Sequence, residues 1–222
     1  MRRRLILLRH GQTHYNAGRR MQGQLDTELS EVGVEQARAA AQLMKNLGVS
    51  KIVSSDLARA RHTAEIIAAS LGLELTQDAR LRETHLGQWQ GKTHAEVDAW
   101  RDGIRAHWRN NAAWAPPAGE SRLDVAKRAR PVVDELMSSY REWDDSAVLL
   151  VAHGGTISAL TSNLLGLSES QYPLLNSLKN TNTSRLSAEP AYREGSAAPA
   201  EFPTEPSAVQ WYLDAWNQGF SD

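Results

Sequence analysis

The stretch Arg4-Leu-Ile-Leu-Leu-Arg-His-Gly-Gln-Thr-His-Tyr-Asn16 decides the fold. Its apolar run, Leu5 to Leu8, predicts a buried strand. Arg9 and His10 then fall at the carboxyl end of that strand, the edge at which open α/β sheets bind ligands. Gly11 permits a sharp exit and a close backbone approach. Taken alone, an Arg-His pair after a strand is equally well an ordinary solvated strand end. A second copy of the pattern changes the weighing. Val148-Leu-Leu-Val-Ala152 is another buried run, and His153-Gly154-Gly155 follows it at once. Two strands that each deliver His-Gly to one edge can bring two imidazoles together.

Between these strands the chain reads as β-α-β-α-β. Ala37, Ala40, Ala41 and Met44 recur at helical spacing, Lys51 to Ser54 is a short strand, and a helix is predicted from Leu57 to Leu71. Ser54-Ser55-Asp56 offers oxygens to cap that helix. Leu73 to Thr76 reads as a third strand, and the order argues a parallel α/β sheet. A Trp-rich, Pro-punctuated segment, about 92–119, reads as a helical lid inserted in a single domain spanning 1–222. Ser121 is predicted to cap a long helix to about Tyr140, with Asp124 in its first turn to suit the helix dipole. A helix follows from Thr156 to Leu165. Asn180 to Ser187 and Val209 to Leu213 read as edge strands, and Glu189 to Pro206 as a surface loop.

Composition narrows the function. A net charge of −1 argues against nucleic acid or an anionic membrane as partner. Arg2-Arg3-Arg4 precedes an apolar run too short for a signal peptide, and no run approaches a membrane span. The absence of cysteine excludes disulfides, thiol chemistry and thiolate metal sites. These features predict a soluble cytoplasmic protein.

Arg9, His10, Arg59, Glu83 and His153 all fall at strand ends or helix starts on the predicted edge. Cations converging with one carboxylate suit a multiply charged anion, and phosphate fits because its oxygens take bidentate arginine contacts. Gly154 and Gly155 open a helix whose free N–H groups can add to an anion site. The set permits covalent phosphoryl transfer. Neutral His10 attacks phosphorus, while Arg9, Arg59 and protonated His153 hold the non-bridging oxygens. Glu83 protonates the leaving alkoxide and later activates water, the acid role asking for a carboxyl raised by partial burial. Two rival readings stay open. His10, His153 and Glu83 make a two-His, one-carboxylate metal set, although Arg9 and Arg59 would repel the cation. Alternatively, the cluster is a structural ion network or a phospho-ligand sensor. The glycines after both histidines favour a ligand, because they open space for one. Ser54 and Ser55 need only a capping role. His14 and His62 carry no clear signal. His94 and His107 lie in the lid, and His85 is expected to pack against the site.

These residues resemble a known family. Leu8-Arg-His-Gly-Gln-Thr-x-x-Asn16, Ser54-Ser-Asp-Leu-x-Arg-Ala-x-x-Thr63, Leu81-x-Glu83 and Val151-x-His-Gly154 are similar to the blocks of the histidine phosphatase (phosphoglycerate mutase-like) superfamily, in the family's order. The resemblance runs from about Arg4 to Leu165. It implies a three-layer α/β sandwich with a mostly parallel central sheet flanked by helices. It implies His10 as phosphorylated nucleophile, Arg9, Arg59 and His153 as phosphate ligands, and Glu83 as acid and base. Asn16, Gln22, Gly23 and Gly154 are expected to contact substrate, with no metal or other cofactor. A small phosphorylated substrate and a homodimer are the partners it suggests. Mutases of the family carry an adjacent Arg-Arg pair and a Lys in the lid. Here Arg101, Arg105 and Arg109 stand singly and His94 falls near the Lys position, which favours a phosphatase. Met21 to Ser30, Leu81 to Gly91, Trp114 to Arg122 and Trp211 to Asn217 resemble a bacterial branch of the family that acts on glucosyl-3-phosphoglycerate. The lid tryptophans would then stack on a sugar or simply pack the lid, and Gln22, Gln24 and Gln88 would bond hydroxyls. A broad-specificity sugar or α-ribazole phosphatase and a phosphoglycerate mutase are the alternatives.

Overall fold

The fold is described from a computed structural model, for residues 1–192, 194–195, 199 and 201–219. Strands β1 (Arg3–Arg9), β2 (Val49–Ser54), β3 (Leu75–Gln77), β4 (Ala147–Ala152), β5 (Thr183–Pro190) and β6 (Val209–Gln218) form one sheet in the order β3-β2-β4-β1-β5-β6. Strands β3, β2, β4 and β1 run parallel, and β5 and β6 are antiparallel to their neighbours. The helices are α1 (His14–Ala17), α2 (Glu31–Met44), α3 (Ala58–Leu71), α4 (His94–Asp98), α5 (Ile104–Asn110), α6 (Arg122–Ser139) and α7 (Gly154–Leu164).

Strand alternation divides the core between two faces. Leu5, Leu7, Val148 and Leu150 pack with Val133, Leu136, Ile157 and Leu160 of α6 and α7. Ile6, Leu8, Leu149 and Val151 pack with Ala41, Met44, Ala60 and Ile67 of α2 and α3. Helix, sheet and helix thus make the three layers expected. The long helix starts as predicted: Ser121 accepts from the Asp124 N–H, and the Asp124 carboxylate accepts from Ser121 in return.

One expectation is corrected. Strand β5 is not an edge, because it lies between β1 and β6, and its burial reflects contact on both sides. β6 is an edge strand, as expected, and runs on past Leu213 to Gln218. Of the three arginines at the basic start, Arg2 is exposed and Arg3 is not. Arg3 is buried, with Nε 2.7 Å from Asp144 Oδ1 and Nη1 2.6 Å from the Met137 carbonyl oxygen, and its guanidinium lies 4.4 Å from the Phe202 ring centre.

Helix α2 meets the loop after β1 at backbone distance. A Cβ on Gly11 would stand 2.3 Å from the Gly33 carbonyl oxygen, and one on Gly33 would stand 2.0 Å from that of Gln12. Ser30 donates its N–H to the same Gln12 carbonyl, at 2.9 Å. This contact fixes the loop that leaves His10. Gly33→Ala is therefore expected to lower stability by about 1–3 kcal/mol through forced backbone displacement. Exposed Val32→Ala should change it by less than about 0.5 kcal/mol. Urea midpoints at constant slope decide this, and equal midpoints for the two variants would show that the loop yields.

Candidate active site at the carboxyl edge of the sheet

Strand register builds the centre of the site. Leu8 pairs with Val151 and Arg9 with Ala152, so the next residues, His10 and His153, emerge side by side. The His10 N–H bonds the Ala152 carbonyl at 3.0 Å, and the two rings lie 5.1 Å apart, tilted by 59°. His10 Nδ1 lies 2.7 Å from the Gly11 carbonyl oxygen. A carbonyl only accepts, so Nδ1 carries the hydrogen and Nε2 keeps its lone pair. Arg59 Nε points at that lone pair from 3.3 Å. The remaining Arg59 nitrogens donate to the carbonyls of Leu25 (2.8 Å) and Gly23 (2.7 Å). Burial, then the charges of Arg59 and Arg9, hold His10 well below the ordinary imidazole value, so the ring is neutral. Burial also lowers Arg59, to about 10, while Glu83 and Asp26 oppose the fall.

His153 is buried, and its Nε2 lies 2.9 Å from Ser55 Oγ. The β2–β4 register places Ser55 there: Ser54 pairs with Val151, and the Ser55 N–H bonds the Val151 carbonyl at 2.9 Å. Ser55 Oγ also accepts from the Leu57 N–H, at 3.3 Å. Its own hydrogen can then be given to His153 Nε2, an arrangement that puts the ring hydrogen on Nδ1. Nδ1 of His153 and Nε of Arg9 are buried without a partner among the described residues. Arg9 Nη1 donates to the Leu178 carbonyl. The expectation of a protonated His153 is corrected. Burial, followed by Arg59, His10, Arg9 and Arg128, pushes it well below the ordinary value, so it is a neutral N–H donor.

The supposed cap of α3 is corrected too. Ala58 N–H is bonded by Asp26 Oδ1 at 2.7 Å, a carboxylate from the 18–30 loop. Asp56 instead pairs with Arg82 at 2.5 Å, which holds its carboxyl below the usual range, and Ser55 serves His153.

Glu83 is held by backbone donors. Its Oε1 accepts from Thr84 N–H (2.8 Å) and Thr156 N–H (3.2 Å), and its Oε2 from Gly155 N–H (3.1 Å). The α7 start that was expected to face an anion is thus partly spent on this carboxylate. Arg128, which sequence reasoning missed, steadies the same residue. It donates to the carbonyls of Glu83 (2.9 Å) and Arg80 (2.7 Å) while paired with Glu120 at 2.8 Å. Of the glycines after the histidines, Gly154 and Gly155 line the cavity, as expected of them, and all three also admit protein groups. A Cβ on Gly155 would stand 2.6 Å from Glu83 Oε1, one on Gly154 would stand 3.0 Å from Ser177 Oγ, and Gly11 admits Gly33.

A cavity of about 540 Å³ opens over this cluster. It is lined by Arg9, His10, Arg59 and Glu83, and by Asn16, Gln22, Gly23 and Gly154, as expected, whereas His153 is buried beside His10 and is not part of the lining. Asn16 Oδ1 accepts from Thr13 N–H (3.1 Å) and Asn180 Nδ2 (3.2 Å). Gln22 Oε1 accepts from the hydroxyls of Thr13 (2.8 Å) and Thr27 (2.6 Å). With the oxygens spent on protein, the amide nitrogens remain for a ligand. Gln24 and Gln88 do not line the cavity, and Gln24 bonds the Glu83 carbonyl at 3.0 Å. Of the tryptophans only Trp108 lines it. Trp89 is buried between Trp108 and Trp114, with ring centres 5.8 and 5.6 Å away, so packing explains most of this group. His94 lines the cavity, whereas His14, His62, His85 and His107 do not, and His85 bonds the Ala118 carbonyl instead. Sequence reasoning also missed Arg122 and the 173–177 segment, both in the wall. That segment has no periodicity to mark it.

Two outcomes are expected of this geometry. Gly155→Ala must displace Glu83, so turnover should fall by about 10² or more, the scale of a misplaced acid–base group, with KM changed less. Steady-state kinetics test this, and unchanged turnover would place the acid–base step elsewhere. The second concerns pH. His10 and His153 stay neutral in the native protein, while in the unfolded chain each protonates near 6.5. Below that pH the unfolded chain binds more protons, so stability should fall as pH drops from 6.5 toward the native values. Denaturation between pH 7.5 and 5.5 measures the slope, and His10→Asn should flatten it. An unchanged slope would assign the proton uptake to other groups.

A model of the "Histidine phosphatase superfamily (branch 1)" matches residues 5–195. The chain is 49% identical over 219 residues to a glucosyl-3-phosphoglycerate phosphatase of Mycolicibacterium vanbaalenii, covering 97% of this chain and 94% of that one. It is 50% identical over 220 residues to a protein of the same name from Mycobacterium tuberculosis, with the same coverage. A solved structure, the native mycobacterial glucosyl-3-phosphoglycerate phosphatase, superposes with a TM-score of 0.89 at 48% identity, over 98% of this chain and 99% of that one. With its two His-Gly strand ends, its fold and these matches in agreement, the chain belongs to branch 1 of the histidine phosphatase superfamily.

Proposed function

We propose that the protein hydrolyses a phosphate monoester through a phosphohistidine on His10, and that its substrate is glucosyl-3-phosphoglycerate. One observation carries the chemistry: the His10 Nδ1–H is tied to the Gly11 carbonyl, so a neutral Nε2 faces Arg59 beside His153. The Nε2 lone pair forms the N–P bond as the bond from phosphorus to the leaving alkoxide oxygen breaks. The Nδ1–H to Gly11 contact supports the positive charge that develops on the ring. Arg9, Arg59 and the Nδ1–H of His153 hold the non-bridging oxygens, whose charge dominates the barrier. Glu83 carries a proton to the alkoxide, then takes one from the water that attacks phosphorus. Water's oxygen replaces Nε2 on phosphorus, and inorganic phosphate leaves. The arginines supply the positive charge that a metal would otherwise bring.

The substrate assignment rests on relatives of about 50% identity that span almost the whole chain. The cavity fits it. Its volume lies within the range of small-molecule sites, and Asn16 and Gln22 offer unspent amide donors.

Phosphate release with chelator present tests both parts. The panel is glucosyl-3-phosphoglycerate, 3-phosphoglycerate, α-ribazole phosphate and an aryl phosphate. The glucosylated ester should lead in kcat/KM, and His10→Ala should lower every rate by about 10⁴ or more and abolish an acid-labile phosphoenzyme. Equal rates across the panel would leave the chemistry and remove the substrate. Transfer of the phosphoryl group to another hydroxyl without phosphate release would make the protein a mutase. Loss of activity in chelator would require a metal.

A further inference from the structure

The cavity contains more positive charge than a phosphate and Glu83 account for. Arg109, on α5, and Arg122, the first residue of α6, both line it, together with the cluster around His10. Neither guanidinium has a salt bridge or hydrogen bond among the described residues, in contrast to that of Arg105, which is paired with Asp98 at 2.6 Å. Arg122 is half-buried, and its guanidinium lies 5.8 Å from the centre of the Trp108 ring. That indole supports one side of the guanidinium and leaves its N–H edge available to a planar acceptor. Burial and the neighbouring charge of Arg109 lower Arg122, and Glu83 opposes them, so the three groups act on one another across the cavity. Arg109 is exposed, so solvent screens its charge in the free protein, whereas a ligand that fills the cavity displaces that solvent. The pair is understandable where a ligand supplies the missing anion.

We propose that Arg122 and Arg109 form a second anion subsite that binds a carboxylate of the substrate's leaving group, while Arg9 and Arg59 hold the phosphate. The charge balance supports it. A phosphate dianion answers Arg9 and Arg59, and the carboxylate of a phosphorylated hydroxy acid answers the second pair. The planar fork of Arg122 matches a carboxylate in two parallel hydrogen bonds, which a sugar hydroxyl cannot provide. Preference for a phosphorylated acid over a phosphorylated alcohol would then come from α5 and α6, outside the residues that hold phosphorus. This inference rests on the proposed phosphatase reading, and it names what in the substrate the far wall recognises.

The test compares 3-phosphoglycerate with glycerol 3-phosphate, two ligands without sugar that differ at the carboxylate. Dissociation constants are measured by titration calorimetry on the full chain. The unaltered protein should bind 3-phosphoglycerate at least tenfold tighter. Arg122→Met keeps an unbranched apolar side chain and should weaken 3-phosphoglycerate by roughly tenfold to a hundredfold, the worth of a charge-assisted pair. It should leave glycerol 3-phosphate within twofold, and Arg109→Ala should act in the same direction. Equal affinity for the two ligands in the unaltered protein would overturn the subsite. So would a variant that retains the preference or loses both ligands together, since the second result marks a structural role. Because neither ligand carries glucose, these outcomes are independent of whether the glucosylated ester is the preferred substrate.

Discussion

The hydrogen bond from His10 Nδ1 to the carbonyl of the next residue constrains everything around it. To make it, the chain must turn sharply after β1 and bring the Gly11 carbonyl back over its own neighbour's ring. The turn is held from outside, by Gly33 of α2 pressing on Gly11 and by Asn180 donating to the His10 carbonyl at 3.0 Å. Once Nδ1 is committed, the only lone pair on the ring is at Nε2, and the ring is buried among cations that oppose its protonation. Nucleophilicity at neutral pH is thus a consequence of backbone geometry and burial, not of an adjacent base.

The second histidine is governed by a different device with the same result. Ser55 holds the His153 ring through its hydroxyl, and Ser55 is in place because β2 and β4 run parallel in register. The sheet sets the spacing of the polar groups as directly as it sets the core. A slip of one residue between β1 and β4 would turn the apolar residues of β4 to the opposite faces and separate the imidazoles. Hydrophobic burial on two faces therefore enforces the catalytic geometry, because the same register satisfies both.

This explains what could be read in the sequence. Apolar runs and the residues directly after them were legible: β1, β4, Arg9, His10 and His153 come from local pattern alone. Arg59 and Glu83 joined them by falling at helix starts or strand ends on the same edge. Contacts between distant segments were not legible. Asp26 caps α3 across 32 positions, and Arg128 steadies Glu83 across 45. Ser55 looked like a cap, because a serine before a helix usually is one. Arg122 was hidden in the first turn of a helix, where nothing in spacing distinguishes a cavity cation from a solvated one. The glycines after the histidines were rightly picked out as places of close approach, but the approaching atoms belong to the protein. β5 read as an edge because its pairing with β6 is set by residues far along the chain.

Burial acts on the histidines and arginines of the site with opposite functional results, and starting values decide which. An imidazole begins near 6.5, so any strong desolvation leaves it neutral at physiological pH. A guanidinium begins far higher, and Arg59, lowered to about 10, still favours the cation at pH 7 by about a thousand to one. The same dry environment therefore produces an uncharged nucleophile beside a charged ligand for phosphate. A lysine at position 59 would begin roughly two units lower and would present a point charge in place of a fork. It could not donate at once to the Gly23 carbonyl, the Leu25 carbonyl and His10 in the present geometry. The residue at that position has to be an arginine because it must stay charged without water while making several directed contacts, and only a group with so high a starting value can lose so much solvation and remain a cation.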